Sequence, residues 1–256
     1  MSAKYTMELL DFTFATPAEN LACDEALLDA RESNGTGDVL RFWEPQGYFV
    51  VVGYGNSIAT EVNLAACAAE LVPVFRRCSG GGTVLQGPGC LNYSLILRID
   101  PTGPLQSIAA ANRFIMERNR AAIERALHPG QSALKSQPSS IEINGHTDLT
   151  CDNYKFSGNS QRRRKNSLLF HGTFLLGFDL SRVEKFLPMP GKQPAYRQNR
   201  SHASFLRNLE LNVDSVKAAL GTAWNATEPL TAVPREAIAS LVRDKYATAD
   251  WNFKFH

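Results

Sequence analysis

The sequence predicts an α+β fold, a mostly antiparallel sheet flanked by helices. Three observations carry this. Apolar strand-like segments come in close pairs separated by turn residues, as at Pro45-Gln46-Gly47 and Asp152-Asn153. Helical periodicity is confined to the stretch after Thr16, to residues 105–127 and to the C-terminal part of the chain. Strand and helix signals seldom alternate in the βαβ order that a parallel sheet needs.

The elements follow in order. An apolar strand is expected from Met7 to Phe14. Thr16-Pro17-Ala18-Glu19 then reads as a helix start, with Thr16 as cap, Pro17 at the first helical position and Glu19 closing a capping box. Ala18, Leu21, Ala22 and Leu28 share one face of that helix, and Gly35 is its stop signal. Val39–Glu44 and Tyr48–Gly53 read as two strands joined as a hairpin through Pro45-Gln46-Gly47. A short helix is expected over Asn63–Glu70. A strand over Val72–Arg77 ends in a glycine-rich turn, and Leu91–Ile99 is the next strand. The strongest helix signal spans Leu105–Leu127. Its stripe is Leu105, Ile108, Ala109, Ile115, Met116, Ala122 and Ile123, with Asn112 as a polar break and His128-Pro129-Gly130 as the stop. Asp148–Cys151 and Tyr154–Gln161 form a hairpin, Leu168–Phe178 is a further strand, and the tail carries helices over 181–187, 213–224 and 235–246.

The bulk composition excludes several classes. The 256 residues fit one domain spanning 1–256, and 44% hydrophobic with 20% charged residues is ordinary for a globular enzyme. A net charge of +2 gives no argument for nucleic acid or membrane as partner. The N-terminal segment lacks the apolar run of a signal peptide, and nothing approaches the ~20 apolar residues of a membrane span, so a cytoplasmic location is expected. Cys23, Cys67, Cys78, Cys90 and Cys151 are scattered and form no CxxC pair, which points to reduced thiols and to no protein-only metal site.

Three segments carry chemistry. In Arg76-Arg77-Cys78-Ser79-Gly80-Gly81-Gly82-Thr83-Val84, three glycines after a strand let backbone N–H groups approach a ligand, and the arginines could meet a carboxylate or phosphate. A plain glycine-rich turn is the alternative. In Tyr154-Lys155-Phe156-Ser157-Gly158, a lysine beside Ser-Gly could aim its ammonium into a cleft. A solvated lysine on an alternating strand is the plainer reading of Lys155 alone. In Leu169-Phe170-His171-Gly172-Thr173, the histidine interrupts an apolar strand, either lining a pocket or sitting as a satisfied core residue.

Together, in this order, the segments resemble the lipoate–protein ligase A family, whose catalytic module is shared with octanoyltransferases and biotin ligases. The family pattern reads Arg-Arg-x-Ser-Gly-Gly-Gly, then Lys-x-Ser-Gly, then His-Gly-Thr. Leu91-Asn92-Tyr93-Ser94, Asp179-Leu180-Ser181-Arg182, Tyr196-Arg197-Gln198-Asn199-Arg200 and Ala249-Asp250-Trp251-Asn252-Phe253 extend the likeness from about Leu9 to Phe253.

The resemblance implies a biotin/lipoate-ligase-like catalytic domain, related to class II synthetases. It also implies an enzyme that joins lipoate to ATP, with Mg2+, to give lipoyl-AMP, and then passes the lipoyl group to a lysine. The acceptor would be a lipoyl domain of a dehydrogenase complex or a glycine-cleavage-type carrier protein. Lys155 is the implied catalytic residue, placed on the carbonyl and phosphate oxygens. Arg77, Ser79, Gly80, Gly81, Gly82, Asn92, Asp148, Ser157, Gly158, His171, Gly172 and Thr173 are the implied binding residues, with Asp148 orienting Lys155 or the incoming amine.

The chain departs from the ligase pattern after Thr83-Val84. An aromatic residue, His and Asp are usual there, and this chain has Leu85, Gln86 and Gly87; Thr147 stands where Asn is usual. Fine substrate recognition is therefore open. The C-terminal accessory domain of many ligases is expected to be absent, which leaves a ligase with a separate accessory protein, a ligase without one, or a transferase. The transferase alternative moves octanoate from acyl carrier protein through a cysteine thioester, with Cys151 as the local candidate. Arg162-Arg163-Arg164-Lys165 is either a solvated hairpin tip or a surface for an acidic protein or RNA. A binding-only relative is a further alternative.

Overall fold

The computed structural model describes residues 7–33, 36–128 and 140–255. The predicted stop signals at Gly35 and at Pro129-Gly130 lie outside the described residues. Strand β1 (Met7–Asp11) ends before Phe14, and helix α1 (Pro17–Glu32) follows. The capping box forms as predicted: Glu19 N–H donates to Thr16 Oγ1 at 3.2 Å, and Thr16 N–H donates to Glu19 Oε2 at 2.9 Å. Such a cap contributes about 1 kcal/mol. Ala18, Leu21, Ala22 and Leu28 are all buried, and each buried leucine contributes about 1.5–3 kcal/mol.

β2 (Val39–Trp43) and β3 (Phe49–Val52) do not form the expected hairpin. β2 lies in an eight-stranded sheet, while β3 is the centre of a three-stranded one between β4 (Val74–Arg76) and β5 (Val84–Gln86). Pro45-Gln46-Gly47 is therefore a crossing between sheets. Short helices α2 (Ile58–Glu61) and α3 (Leu64–Ala69) connect β3 to β4.

β6 (Cys90–Arg98) and α4 (Ile108–Leu127) come next. Then β7 (Ile141–Asn144), β8 (Asp148–Cys151), β9 (Tyr154–Arg163) and β10 (Ser167–Leu175) form a meander. The predicted turn at Asp152-Asn153 is present, with φ of 50° and 64°, the left-handed pair that a two-residue hairpin needs. After it come α5 (Val183–Phe186), α6 (His202–Phe205), α7 (Val213–Trp224), β11 (Ala226–Pro229), α8 (Arg235–Leu241), a π-helical turn over Val242–Tyr246 and α9 (Ala249–Asn252).

The large sheet runs β11-β1-β2-β6-β10-β9-β8-β7; the β11–β1 and β1–β2 pairings are parallel and the other five antiparallel. This is the predicted α+β class with a mostly antiparallel sheet.

The two sheet faces do different work. On one, Leu91, Tyr93, Leu95, Phe170 and Phe174 pack against α4 and α7. The predicted stripe is buried at Leu105, Ile115, Met116, Ala122 and Ile123 but departs over the first turn of α4, where Ile108 is 60% exposed, and Ala111 and Asn119 are buried in addition. The buried polar residue is Asn119, which donates to Tyr93 Oη (2.8 Å) and accepts from Trp224 Nε1 (2.8 Å). Asn112 instead accepts from Gln161. On the other face, Trp43, Ile96 and Leu169 meet α1 and the small sheet's Phe49 and Val51. Asn92, Ser94, His171 and Thr173 share this second face, because they alternate with the core residues just named.

The basic run is largely consumed within the molecule. Arg163 donates to Leu105 O (2.7 Å), Arg164 pairs with Asp29 (2.7 Å), and Arg162 lies 5.8 Å from the Tyr54 ring centre. No described helix is long and apolar enough to cross a membrane.

Candidate active site

A cleft of about 780 Å³ opens between the second face of the large sheet, the glycine-rich turn and the segment 187–205. Arg77, Gly81, Gly82, Asn92, Asp148, Lys155, Gly158, His171, Gly172 and Thr173 line it. The three motifs, separated by as many as 92 residues between Ser79 and His171, thus converge. Ser79 and Ser157 lie just behind the lining, and Gly80 is exposed outside it. Ser79 Oγ bonds His171 Nε2 at 2.6 Å, Gly80 O accepts from Ser160 Oγ at 2.8 Å, and Ser157 is 1% exposed.

The glycine-rich turn is held by its own arginines. Arg77 donates to Gly80 O (2.5 Å), Gly82 O (2.7 Å) and Ser79 Oγ (3.1 Å). Arg76 donates to the carbonyls of Gly53, Tyr54, Asn56 and Trp251. Both side chains, read from the sequence as anion binders, spend these donors on protein groups. Burial lowers the Arg77 pKa to about 10, which leaves the guanidinium charged at neutral pH. Gly81 sits at φ +84°, and a Cβ there would meet Arg77 Nη2 at 3.0 Å, so the turn requires glycine.

From Ser79 a polar chain runs inward. His171 Nδ1 lies 3.2 Å from Asp24 Oδ2, which also accepts from Ser94 Oγ at 2.8 Å. Asp24 Oδ1 pairs with the fully buried Arg41 at 2.6 Å. Burial opposes the Asp24 charge, but Arg41, His171 and Ser94 outweigh it and hold the carboxyl below its ordinary range. Ser79, His171 and Asp24 have the connectivity of a nucleophilic triad. Ser79, however, is 0% exposed and its oxygen already accepts from Arg77, so the chain fixes the turn to the sheet. Beside it, Gln86, Asn92 and Thr173 close a ring of hydrogen bonds at 2.6–3.0 Å.

The outer half centres on Lys155. Its Nζ pairs with Asp148 Oδ1 at 2.8 Å, and Tyr196 Oη donates to Asp148 Oδ2 at 2.7 Å. Burial, and then the Asp148 charge, push the Tyr196 hydroxyl up, so it stays protonated as the donor. The direction of Lys155 comes from a β-bulge. Leu149 pairs with Ser157 but Thr150 with Lys155, which leaves Phe156 as an extra residue on β9. Phe156 enters the α4-side core, and Lys155 is turned into the cleft. Gly158 leaves room for it: a Cβ there would lie 2.7 Å from Lys155 Nζ and 2.8 Å from Cε. Lys192, Arg197 and His202 add to this end of the lining.

Cys151 is on the other side of the sheet. It packs against the α4-side core and borders a separate hollow of about 150 Å³ with Asp152, Tyr154 and Arg207. Burial and then Asp152 raise its pKa, the opposite of what an attacking thiolate needs. Cys78 and Cys90 are buried, with thiols pushed up to about 12. All five cysteines are described, and none lines the cleft.

Residues the sequence did not single out for the site are Asp24, Arg41, Tyr196 and His202. Tyr196 had one signal, the family-like Tyr196-Arg197-Gln198-Asn199-Arg200 segment. Asp24 had none, being one carboxylate on an amphipathic helix.

Residues 16–225 match the family model described as the lipoyl protein ligase A/B catalytic domain. Lipoate–protein ligase 1 of Staphylococcus aureus is 29% identical over 248 residues, covering 93% of this chain and 70% of that protein. The octanoyltransferase LipM of Geobacillus kaustophilus is 26% identical over 282 residues, covering 98% of this chain and 99% of that protein. Among solved structures, a bi-partite lipoate protein ligase from Thermoplasma acidophilum, described with its E2 lipoyl domain, superposes with a TM-score of 0.76 at 23% identity, covering 98% of each chain. A lipoate-protein ligase A bound with ATP gives 0.73 at 24%, covering 98% of this chain and 100% of that one. The chain belongs to the lipoyl protein ligase A/B catalytic-domain family.

Proposed function

We propose that this enzyme is a lipoate–protein ligase, which activates lipoate with ATP to lipoyl-AMP and transfers the lipoyl group to a lysine of a lipoyl acceptor domain. The observation that carries the reading is the make-up of the cleft: a positioned lysine, further cations beside it and no thiol on its walls. A carboxylate is a poor acyl donor, and adenylation supplies the leaving group that a cysteine would otherwise provide. The ATP-bound and lipoyl-domain-paired structural neighbours support the same nucleotide and acceptor classes.

Lys155 is the residue that meets the developing charge, on the carbonyl oxygen in transfer and on the phosphate oxygens in activation. Asp148 and Tyr196 hold its ammonium in place. The Gly81–Gly82 backbone borders the adenylate, while Trp43, Val51 and Leu21 line the inner wall for the acyl chain. Among the described residues no group of three His, Cys, Asp or Glu could hold a metal ion. Mg2+ therefore fits as an ion carried by the nucleotide's phosphates, its usual mode.

The second reading is an octanoyltransferase, favoured by the near end-to-end match to LipM. Intact-mass analysis of an apo lipoyl domain separates the two. Three mixtures are needed: lipoate, ATP and Mg2+; synthetic lipoyl-adenylate alone; and octanoyl-acyl carrier protein without ATP. Acylation in the first two supports the ligase, and in the second alone a ligase that needs an accessory protein. Acylation only in the third overturns the proposal.

A further inference from the structure

Transfer to lysine has a proton requirement. The ordinary lysine pKa is about 10.4, so the acceptor arrives as an ammonium. It sheds one proton to expose the lone pair and a second as the amide forms. The groups around Lys155 are poorly placed to take the second. Lys155 is a cation, Asp148 has one oxygen on Lys155 and the other on Tyr196, and both ring nitrogens of His171 are engaged.

His202 differs. It begins α6, is 8% exposed and lines the outer cleft. Its Nε2 lies 3.3 Å from Pro188 O. A backbone carbonyl only accepts, so Nε2 carries the hydrogen and the neutral ring keeps its lone pair on Nδ1. Among the described residues Nδ1 has no hydrogen-bond partner, and it is not sealed from solvent. α6 is held beside the catalytic lysine by a bridge between Lys155 and Leu206 and by Arg207 N–H donating to Lys155 O at 3.0 Å. The charged groups facing His202 are Arg197, Glu184 and Lys155. Burial first, and then the two cations, favour the neutral ring over the opposing pull of the Pro188 carbonyl and Glu184. The pKa lies below the ordinary 6.5.

We propose that His202 is the general base of the transfer step, accepting at Nδ1 the proton that the acceptor amine loses as it becomes an amide. The Nζ–C bond forms and the bond from the acyl carbon to the phosphate oxygen breaks. The electron pair leaves with AMP. The ammonium's first proton has gone to water, and the second passes from His202 to water afterwards. The inference rests on the acyl-transfer reading of the cleft.

The test compares two nucleophiles with the whole protein and synthetic lipoyl-adenylate. An acceptor amine must lose a proton as the amide forms, whereas an arylthiolate, already ionised at neutral pH, has none to lose. In His202→Gln, whose amide can keep the Pro188 contact, lysine transfer falls about 100-fold or more, and thioester formation from the arylthiolate falls far less. The acid-side inflection of the wild-type pH profile, below 6.5, disappears in the variant, and its rate recovers as pH rises. Equal loss with both nucleophiles would make His202 structural and overturn the proposal, as would unchanged lysine transfer. A wild-type protein that forms neither product would overturn the reading of the cleft, and this proposal with it.

Discussion

In the inner half of the cleft, Asp24, Arg41, Ser79, His171 and Arg77 are linked through buried contacts between 2.6 and 3.2 Å, anchored on α1 and β2. In the outer half, Lys155, Asp148 and Tyr196 are partly exposed, with His202 buried beside them, and they sit on a bulged strand pair and a connecting segment. The inner half has its polar groups matched to one another and fixes a shape. The outer half retains groups that are free to act. A cleft that must hold an apolar chain and also stabilise a changing charge divides in this way, because low dielectric strengthens fixed contacts and penalises any that are left unmade.

The comparison breaks first at Lys155. Lys155→Ala is expected to abolish acyl transfer, read by intact mass, with little change in Tm, because the side chain is 25% exposed. Wild-type turnover in that variant would remove Lys155 from the mechanism.

Asp24→Ala should do the reverse, destabilising the fold by roughly 3–5 kcal/mol because Arg41 is left buried without its partner. Urea unfolding measures it. The Asp24 carboxyl is held below 3.8, so its contribution is complete above that pH and is lost as pH falls through the lower folded value. The gap between variant and wild type should therefore narrow in acid. A variant as stable as wild type at pH 7 would mean that the inner half is not a scaffold.

Gly158→Ala sharpens the contrast. Its Cβ would displace the end of Lys155 from Asp148. Transfer should fall about 10-fold, equivalent to ~1.4 kcal/mol, without matching loss of stability in a thermal melt. The smallest effect is expected at Cys151→Ser, outside the cleft. Turnover within about twofold of wild type, or ~0.4 kcal/mol, is the expected result of the acceptor assay.

What the sequence disclosed was local or patterned. The Thr16–Glu19 capping box and the Asp152-Asn153 turn involve neighbours in the chain, and both formed. The glycine-rich turn, Lys155 and His171 were found through their motifs, and the fold brings them to one cleft. Long-range decisions were hidden. The Phe156 bulge depends on which residue of β8 pairs with which of β9, and the Asp24–Arg41 pair joins residues 17 positions apart on different elements. Pro45-Gln46-Gly47 has turn chemistry, yet β2 and β3 part into separate sheets because Val39 and Leu40 pair with β6. His202 acquires its environment from Pro188, Arg197 and Lys155, which no spacing rule links.

The central claim is that the outer half transfers an acyl group without a covalent enzyme intermediate. It is tested most directly by denaturing mass spectrometry of the enzyme within a single turnover, with an apo lipoyl domain and either lipoyl-adenylate or octanoyl-acyl carrier protein as donor. The account predicts acylated acceptor from lipoyl-adenylate and an enzyme of unchanged mass throughout. An enzyme that gains an octanoyl mass, loses it to hydroxylamine and passes it to the acceptor would contradict the account.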